Sequence, residues 1–237
     1  MKNKMNDFEL EYIGVDETGV GDYFSPIISV ACFIPKENIK RIKELGIKDS
    51  KKLSDSKIID LIEIIIENKL AIFKDTTLYQ KNYNDLTKLG INNNAIKTLI
   101  HFNSIIRLRK TLNRNLRIVI DQYATEVNLQ KHLVKLKEKK LISSNLELNN
   151  FKLILEVQAE EKYLSVACAS MMARYILLKK MREQKKEYQD FPFILGASNL
   201  VIDLGIKFIK KFSESELYNV AKISFKTTKK IIEKLEI

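Results

Sequence analysis

Tyr12-Ile13-Gly14-Val15-Asp16 and Pro26-Ile27-Ile28-Ser29-Val30-Ala31-Cys32-Phe33-Ile34 are short apolar runs rich in β-branched residues, joined through Glu17-Thr18-Gly19-Val20-Gly21-Asp22. Two such runs on either side of a glycine turn predict the strands of a hairpin. Pro26 and Pro35 bracket the second strand. The first ends in two adjacent acids, Asp16 and Glu17. Carboxylates crowded at a strand end repel one another and rise in pKa unless a cation compensates. Magnesium or manganese, which take hard oxygen ligands, would supply that compensation. Gly19 and Gly21 add backbone that can adopt positive φ and present N–H groups to a phosphate or sugar. Taken alone, an acid pair beside a glycine turn is more often a solvated strand end, so the rest of the chain has to decide.

Working outward, Ser54 or Asp55 is placed to cap a helix in which Ile58, Leu61, Ile62 and Ile65 recur at helical spacing. Leu70 to Leu78 reads as a third strand. Asn82 to Leu112 supports one or two helices, with Asn92, Asn93 and Asn94 as a cap or loop. Leu116 to Asp121 is apolar enough to be buried on both faces, as an inner parallel strand is, and it ends in an acid. Val127 to Lys140 reads as a Lys-rich amphipathic helix, Phe151 to Val157 as a strand, and Glu160 to about Met181 as one long helix. Leu200 to Phe212, Glu214 to Val220 and Thr227 to Leu235 complete the chain as helices. The expected architecture is α/β, a mixed sheet with helices on both faces. In such sheets functional residues gather at strand ends where connections diverge, and Asp16 and Asp121 both stand there.

The composition agrees with one compact unit. In 237 residues, 45% hydrophobic and 30% charged content with only 7 Gly and 3 Pro favours regular elements over long loops. The net charge of +11, from 41 Lys plus Arg against 30 Asp plus Glu, points to an anionic partner, nucleic acid ahead of membrane. Cys32 and Cys168 lack metal-type spacing and read as buried thiols. The first ten residues lack an apolar signal region, and no run is long enough to span a bilayer, so a cytoplasmic location is expected.

Three further segments carry chemistry: Lys48-Asp49-Ser50-Lys51-Lys52-Leu53, Val119-Ile120-Asp121-Gln122-Tyr123-Ala124, and Ala159-Glu160-Glu161 leading into Ala169-Ser170-Met171-Met172-Ala173-Arg174. With Asp16-Glu17-Thr18-Gly19-Val20-Gly21-Asp22 their combination and order resemble the type 2 ribonucleases H, and ribonuclease HIII most closely. The final acid makes that distinction, because ribonuclease HII usually has Asp where this chain has Glu160. The resemblance covers roughly Tyr12 to Lys230. It implies a ribonuclease H-like five-stranded mixed sheet flanked by helices, with a core over about 11–183 and a helical C-terminal extension over about 186–237, together forming one catalytic domain over 1–237.

The resemblance also implies a metal-dependent endonuclease that hydrolyses the RNA strand of an RNA–DNA hybrid, leaving 3′-hydroxyl and 5′-phosphate ends. Asp16, Glu17, Asp121 and Glu160 would be the catalytic acids and the ligands of two Mg2+ or Mn2+ ions. Glu161 competes with Glu160 for its position. Gly19, Val20, Gly21, Lys51 and Lys52 would form the substrate-binding surface, the glycines reading a ribose 2′-hydroxyl or merely making the turn. The lysines would contact phosphate or simply be solvated. His101 reads as a packed, hydrogen-bonded histidine, His132 as exposed, and Asp203 as either a helix-surface acid or a support to the metal ligands.

Three departures bear on substrate grip. Ribonuclease HIII commonly carries an N-terminal substrate-binding domain, whereas about ten residues precede the first strand here. Val20 stands where a lysine or arginine is usual, and Phe193-Ile194-Leu195 precedes Gly196 where a basic residue is common. The expected protein is a monomeric enzyme. Incision at single ribonucleotides in DNA, as by ribonuclease HII, and hybrid binding with weak or lost catalysis remain the alternatives.

Overall fold

The computed structural model describes residues 11–47 and 53–235. Five strands form one sheet: β1 (Ile13–Thr18), β2 (Ile27–Phe33), β3 (Ile72–Leu78), β4 (Arg117–Asp121) and β5 (Lys152–Glu156). Their order is β3-β2-β1-β4-β5. β1 pairs antiparallel with β2, from Ile13 opposite Phe33 to Thr18 opposite Ile28, as the hairpin reading predicts. β4 pairs parallel with both β1 and β5, which makes it the inner parallel strand expected from its unbroken apolar run. The C-terminal ends of β1, β4 and β5 therefore share one end of the sheet, and Asp16, Glu17 and Asp121 lie there.

The helices are α1 (Ile39–Glu44), α2 (Asp55–Glu67), α3 (Gln80–Lys88), α4 (Asn93–Leu112), α5 (Glu126–Glu138), α6 (Ala159–Lys162), α7 (Leu164–Glu187), α8 (Asn199–Phe212), α9 (Leu217–Val220) and α10 (Lys226–Leu235). Ser54 is the residue that caps α2, its side chain accepting from the Lys57 N–H. Asn92 caps α4 in the same way through the Ala95 N–H. Between α3 and α4 the chain turns at Gly90, whose φ is 78°, so the Asn82–Leu112 segment holds two helices. None of the described helices is long and apolar enough to cross a membrane.

One expectation fails instructively. The segment from Glu160 to Met181 is broken: Tyr163 takes an extended conformation between α6 and α7. Gln158, left-handed at φ 55°, starts the four-residue α6. Tyr163 packs edge-on against Tyr12 with ring centroids 5.4 Å apart, so its ring is held at β1's entry across the break. Period-3.6 apolar spacing runs through the break, which is why the sequence conceals it. Glu214–Val220 likewise contains only the short α9.

Packing follows the pleat of the sheet. Ile13 and Val15 face α4, sharing a cluster with Ile105, Leu108, Ile118 and Ile120. Gly14, on the other face, meets α7: a Cβ there would lie 2.3 Å from the Ser165 carbonyl carbon and the Val166 nitrogen. The larger cluster lies on that side and joins α7 and α2 to residues of α8, α9 and α10. Both cysteines are fully buried in it, and burial beside Cys168 pushes the Cys32 thiol well up. The C-terminal segment is also stitched to the first half of the chain by polar bonds. The Lys222 N–H donates to the Tyr23 carbonyl at 2.9 Å. The Asn84 amide donates to the carbonyls of Tyr218 and Ala221 and accepts from the Ile223 N–H.

Candidate active site

Consecutive residues of a strand point to opposite faces, and this separates the opening acid pair. Asp16 shares its face with Gly14 and turns toward α7, where the Ser170 hydroxyl donates to it. The Glu17 N–H donates back to Asp16 Oδ1 at 2.7 Å. Burial, followed by the charges of Glu17 and Asp121, pushes the Asp16 carboxyl up to about 8 against those hydrogen bonds.

Glu17 turns toward α4. Burial works against its ionisation, yet the hydrogen bond and charge of His101 and the Lys97 ammonium bring it down to about 2. His101 Nε2 lies 2.9 Å from Oε2 and Lys97 Nζ 3.1 Å from Oε1, so each carboxylate oxygen has its own donor. Lys97 is itself held over the Tyr123 ring at 4.2 Å, and the His101 ring packs edge-on to the same tyrosine. Tyr123 OH meets Thr98 Oγ1 at 3.0 Å, and Thr98 Oγ1 meets His132 Nδ1 at 2.9 Å. His101 is thus a packed, hydrogen-bonded histidine as expected, with an active-site acid as its partner. His132 is half-buried and bonded rather than simply exposed. Lys97, four residues before His101 on α4, is the contact that sequence reading missed. Its i, i+4 spacing to His101 on one helical face was the available signal.

Asp121 ends β4, and its Oδ1 accepts the Ala159 N–H at 2.9 Å. That bond ties the strand end to the first residue of α6, next to Glu160. Of the two competing acids, Glu160 is buried and Glu161 exposed. The left-handed Gln158 and the break at Tyr163 make α6 a separate turn that presents Glu160 beside the end of β4.

The glycine turn projects from β1. Gly19 takes φ 83°, and a Cβ there would meet the Pro26 carbonyl oxygen at 2.2 Å, so glycine is required on both counts. Val20 packs against the cluster of Ile27, Leu78 and Tyr83, while Gly21 is exposed. Asp22 Oδ1 accepts the Gly196 N–H at 2.7 Å, which joins the turn to the loop after Phe193-Ile194-Leu195. Lys51 and Lys52 lie outside the described residues. The helix that follows them is held by Arg174, whose guanidinium grips both Asp55 oxygens, at 2.9 and 3.0 Å. Asp203 pairs with Lys234 at 3.4 Å on the surface and is a helix-surface acid.

The donor set suits a hard divalent cation. All the acids offer carboxylate oxygens, and a cation would offset both the burial and the neighbouring charges of Glu17 and Asp121 that raise Asp16. Among the described residues, however, no three His, Cys, Asp or Glu side chains stand close enough together to hold an ion as they are.

Comparison with known proteins gives the same placement. The ribonuclease HII family profile matches residues 13–228. Ribonuclease HIII of Lactococcus lactis is 33% identical over 223 residues, covering 93% of this chain and 72% of the relative. Ribonuclease HIII of Phytoplasma mali is 36% identical over 219 residues, covering 92% and 71%. Among solved structures, Bst-RNase HIII in complex with Mn2+ superposes with a TM-score of 0.85 at 27% identity, over 98% of this chain and 73% of that one. The ribonuclease H2 of Pyrococcus horikoshii shares the fold, with a TM-score of 0.69 at 20% identity. With a mixed sheet ordered β3-β2-β1-β4-β5, acids at the ends of its central strands and this extent of likeness, the chain belongs to the ribonuclease HII family, among the ribonucleases HIII.

Proposed function

We propose that the protein is a metal-dependent endonuclease of the ribonuclease HIII kind, hydrolysing the RNA strand of RNA–DNA hybrids with Mg2+ or Mn2+ held by Asp16, Glu17, Asp121 and Glu160. The observation that carries this reading is the placement of Asp16 and Asp121 at the shared C-terminal end of the paired parallel strands β1 and β4, with Asp121 bonded to the Ala159 N–H beside Glu160. When bound, divalent ions activate a water, neutralise the scissile phosphate and stabilise the leaving 3′-oxygen.

The chain's own residues supply orientation. Ser170 and the Glu17 N–H fix Asp16, the Ala159 N–H fixes Asp121, and Lys97 with His101 fixes Glu17. Gly19, Val20 and Gly21 present backbone to the RNA strand, and Lys51 and Lys52 face the phosphates. The catalytic domain spans 1–237, with its core over about 11–183 and a helical extension over about 186–237, and acts as a cytoplasmic monomer.

The test is cleavage of a short hybrid and of a DNA duplex carrying one ribonucleotide, each with magnesium and with manganese. Metal-dependent cutting of the hybrid, abolished by a chelator and leaving 5′-phosphate ends, is the expected result. Cutting confined to the single ribonucleotide would favour the HII-type alternative, and tight hybrid binding without cutting would favour a binding protein.

A second measurement concerns the His101 contact. Partners that orient a metal ligand typically contribute about 10- to 100-fold in metal affinity. His101→Ala is therefore expected to raise the Mn2+ concentration for half-maximal hybrid cleavage by about tenfold or more. An unchanged metal titration would remove His101 from the site's working parts.

A further inference from the structure

Lys222 lies between α9 and α10 and is fully buried, at 0% exposure. A lysine so placed is costly unless its amine finds hydrogen-bond partners. Its Nζ donates to the Gly19 carbonyl at 2.7 Å and to the Asp22 carbonyl, with the Ser25 hydroxyl at 3.5 Å. The rings of Phe225 and Tyr83 lie 5.7 and 5.9 Å away. Burial pushes its pKa down to about 7 and the Asp22 charge holds it up. The bonds to the two carbonyls are available to ammonium and amine alike, since both carry N–H donors.

Two of the glycine turn's carbonyls are thus drawn into the protein by one side chain that arrives from 200 residues away. The Gly19 carbonyl is fully engaged, also taking the Asp22 N–H and the Ser25 hydroxyl, each at 3.3 Å. Among the described residues no acceptor meets the N–H groups of Val20 and Gly21. In a trans peptide the N–H points opposite to the carbonyl, so holding the Gly19 carbonyl inward turns the Val20 N–H outward, while the N–H paired with the Asp22 carbonyl, that of Tyr23, is bonded to the Gly196 carbonyl at 2.9 Å. The lysine also satisfies the Asp22 carbonyl, so its loss has a structural cost as well as an effect on the turn.

We propose that Lys222 is the positioning residue of the glycine turn: by holding the Gly19 and Asp22 carbonyls inward it fixes the turn with the Val20 N–H facing the RNA strand of a hybrid. The inference rests on the hybrid-cleavage reading above. Lys222 touches no substrate, so its loss should weaken grip and leave the acids and the chemical step in place.

The test compares Lys222→Met and Lys222→Arg with the wild type on a short RNA–DNA hybrid. Binding to that hybrid and to a DNA duplex of the same sequence is measured alongside. For Lys222→Met, KM is expected to rise on the order of tenfold, the equivalent of one charge-assisted hydrogen bond, with kcat within about twofold. The preference for hybrid over DNA duplex should fall with it, and Lys222→Arg, which keeps the donors, should recover most of both. KM does not depend on the fraction of molecules folded, so partial instability leaves the comparison intact. If Lys222→Met yields no folded protein, Lys222→Gln is read by the same two measurements. Unchanged KM and preference, a loss confined to kcat, or failure of both Met and Gln variants to fold would overturn the inference. Absence of hybrid cleavage by the wild type would instead overturn the functional reading on which it rests.

Discussion

Hybrid cleavage by the Asp121→Asn variant is expected to fall by about a thousandfold or more, because a bound metal contributes several kcal/mol of charge stabilisation and the variant removes an anionic ligand. Asparagine keeps the size of aspartate and an oxygen for the Ala159 N–H, which Asp121 Oδ1 meets at 2.9 Å, so the tie between β4 and α6 should survive. Removing the charge also relieves Asp16, one of whose elevating causes is Asp121. The folded state should be at least as stable as before, and hybrid binding should stay within a few fold of wild type. Single-turnover cleavage with fluorescence-anisotropy binding separates the two effects. Glu17→Gln should behave alike in cleavage, and metal-dependent turnover retained by both variants would sink the proposed mechanism.

The second large effect is on folding. Gly14→Ala is expected to cost about 3 kcal/mol or more, at or beyond the upper end of ordinary overpacking, because what the new methyl meets is main chain rather than a side chain that can rotate away. Its Cβ would stand 2.3 Å from the Ser165 carbonyl carbon and the Val166 nitrogen. Relief requires moving α7 off β1, and that carries Ser170 away from Asp16. A urea denaturation midpoint lowered in proportion would bear this out, whereas a shift below about 1 kcal/mol would show that α7 can yield.

Much of this was legible in the sequence because it depends on local pattern. The apolar runs around the glycine turn specify β1 and β2, and the unbroken Leu116–Asp121 run specifies a strand covered on both faces. What period and composition do not carry is the direction of a side chain at a strand end. Asp16 and Glu17 read as a pair in one dimension, and the pleat sends them to different helices, Glu17 to Lys97 and His101. The break at Tyr163 escaped for a related reason: the ring that holds Tyr163 across it, that of Tyr12, lies about 150 residues earlier and outside any local window. Glu160 was singled out through its motif, and the short turn that presents it was not. Val20 read as a lost phosphate contact; packed against Ile27 and Leu78, it is part of the core beneath the turn.

The stitching of the C-terminal segment to Tyr23 and Asn84 has a consequence for the order of synthesis. Residues 19–22 emerge from the ribosome about 200 residues before Lys222, and domains tend to fold from the N-terminal end as they emerge. Here the bonds from Lys222 to the Gly19 and Asp22 carbonyls wait for some 200 further residues to be made. A nascent chain that has already released Asp16, Glu17, Asp121 and Glu160 still lacks those bonds. The four acids, all within residues 1–160, are translated before the residue that braces the turn beside them.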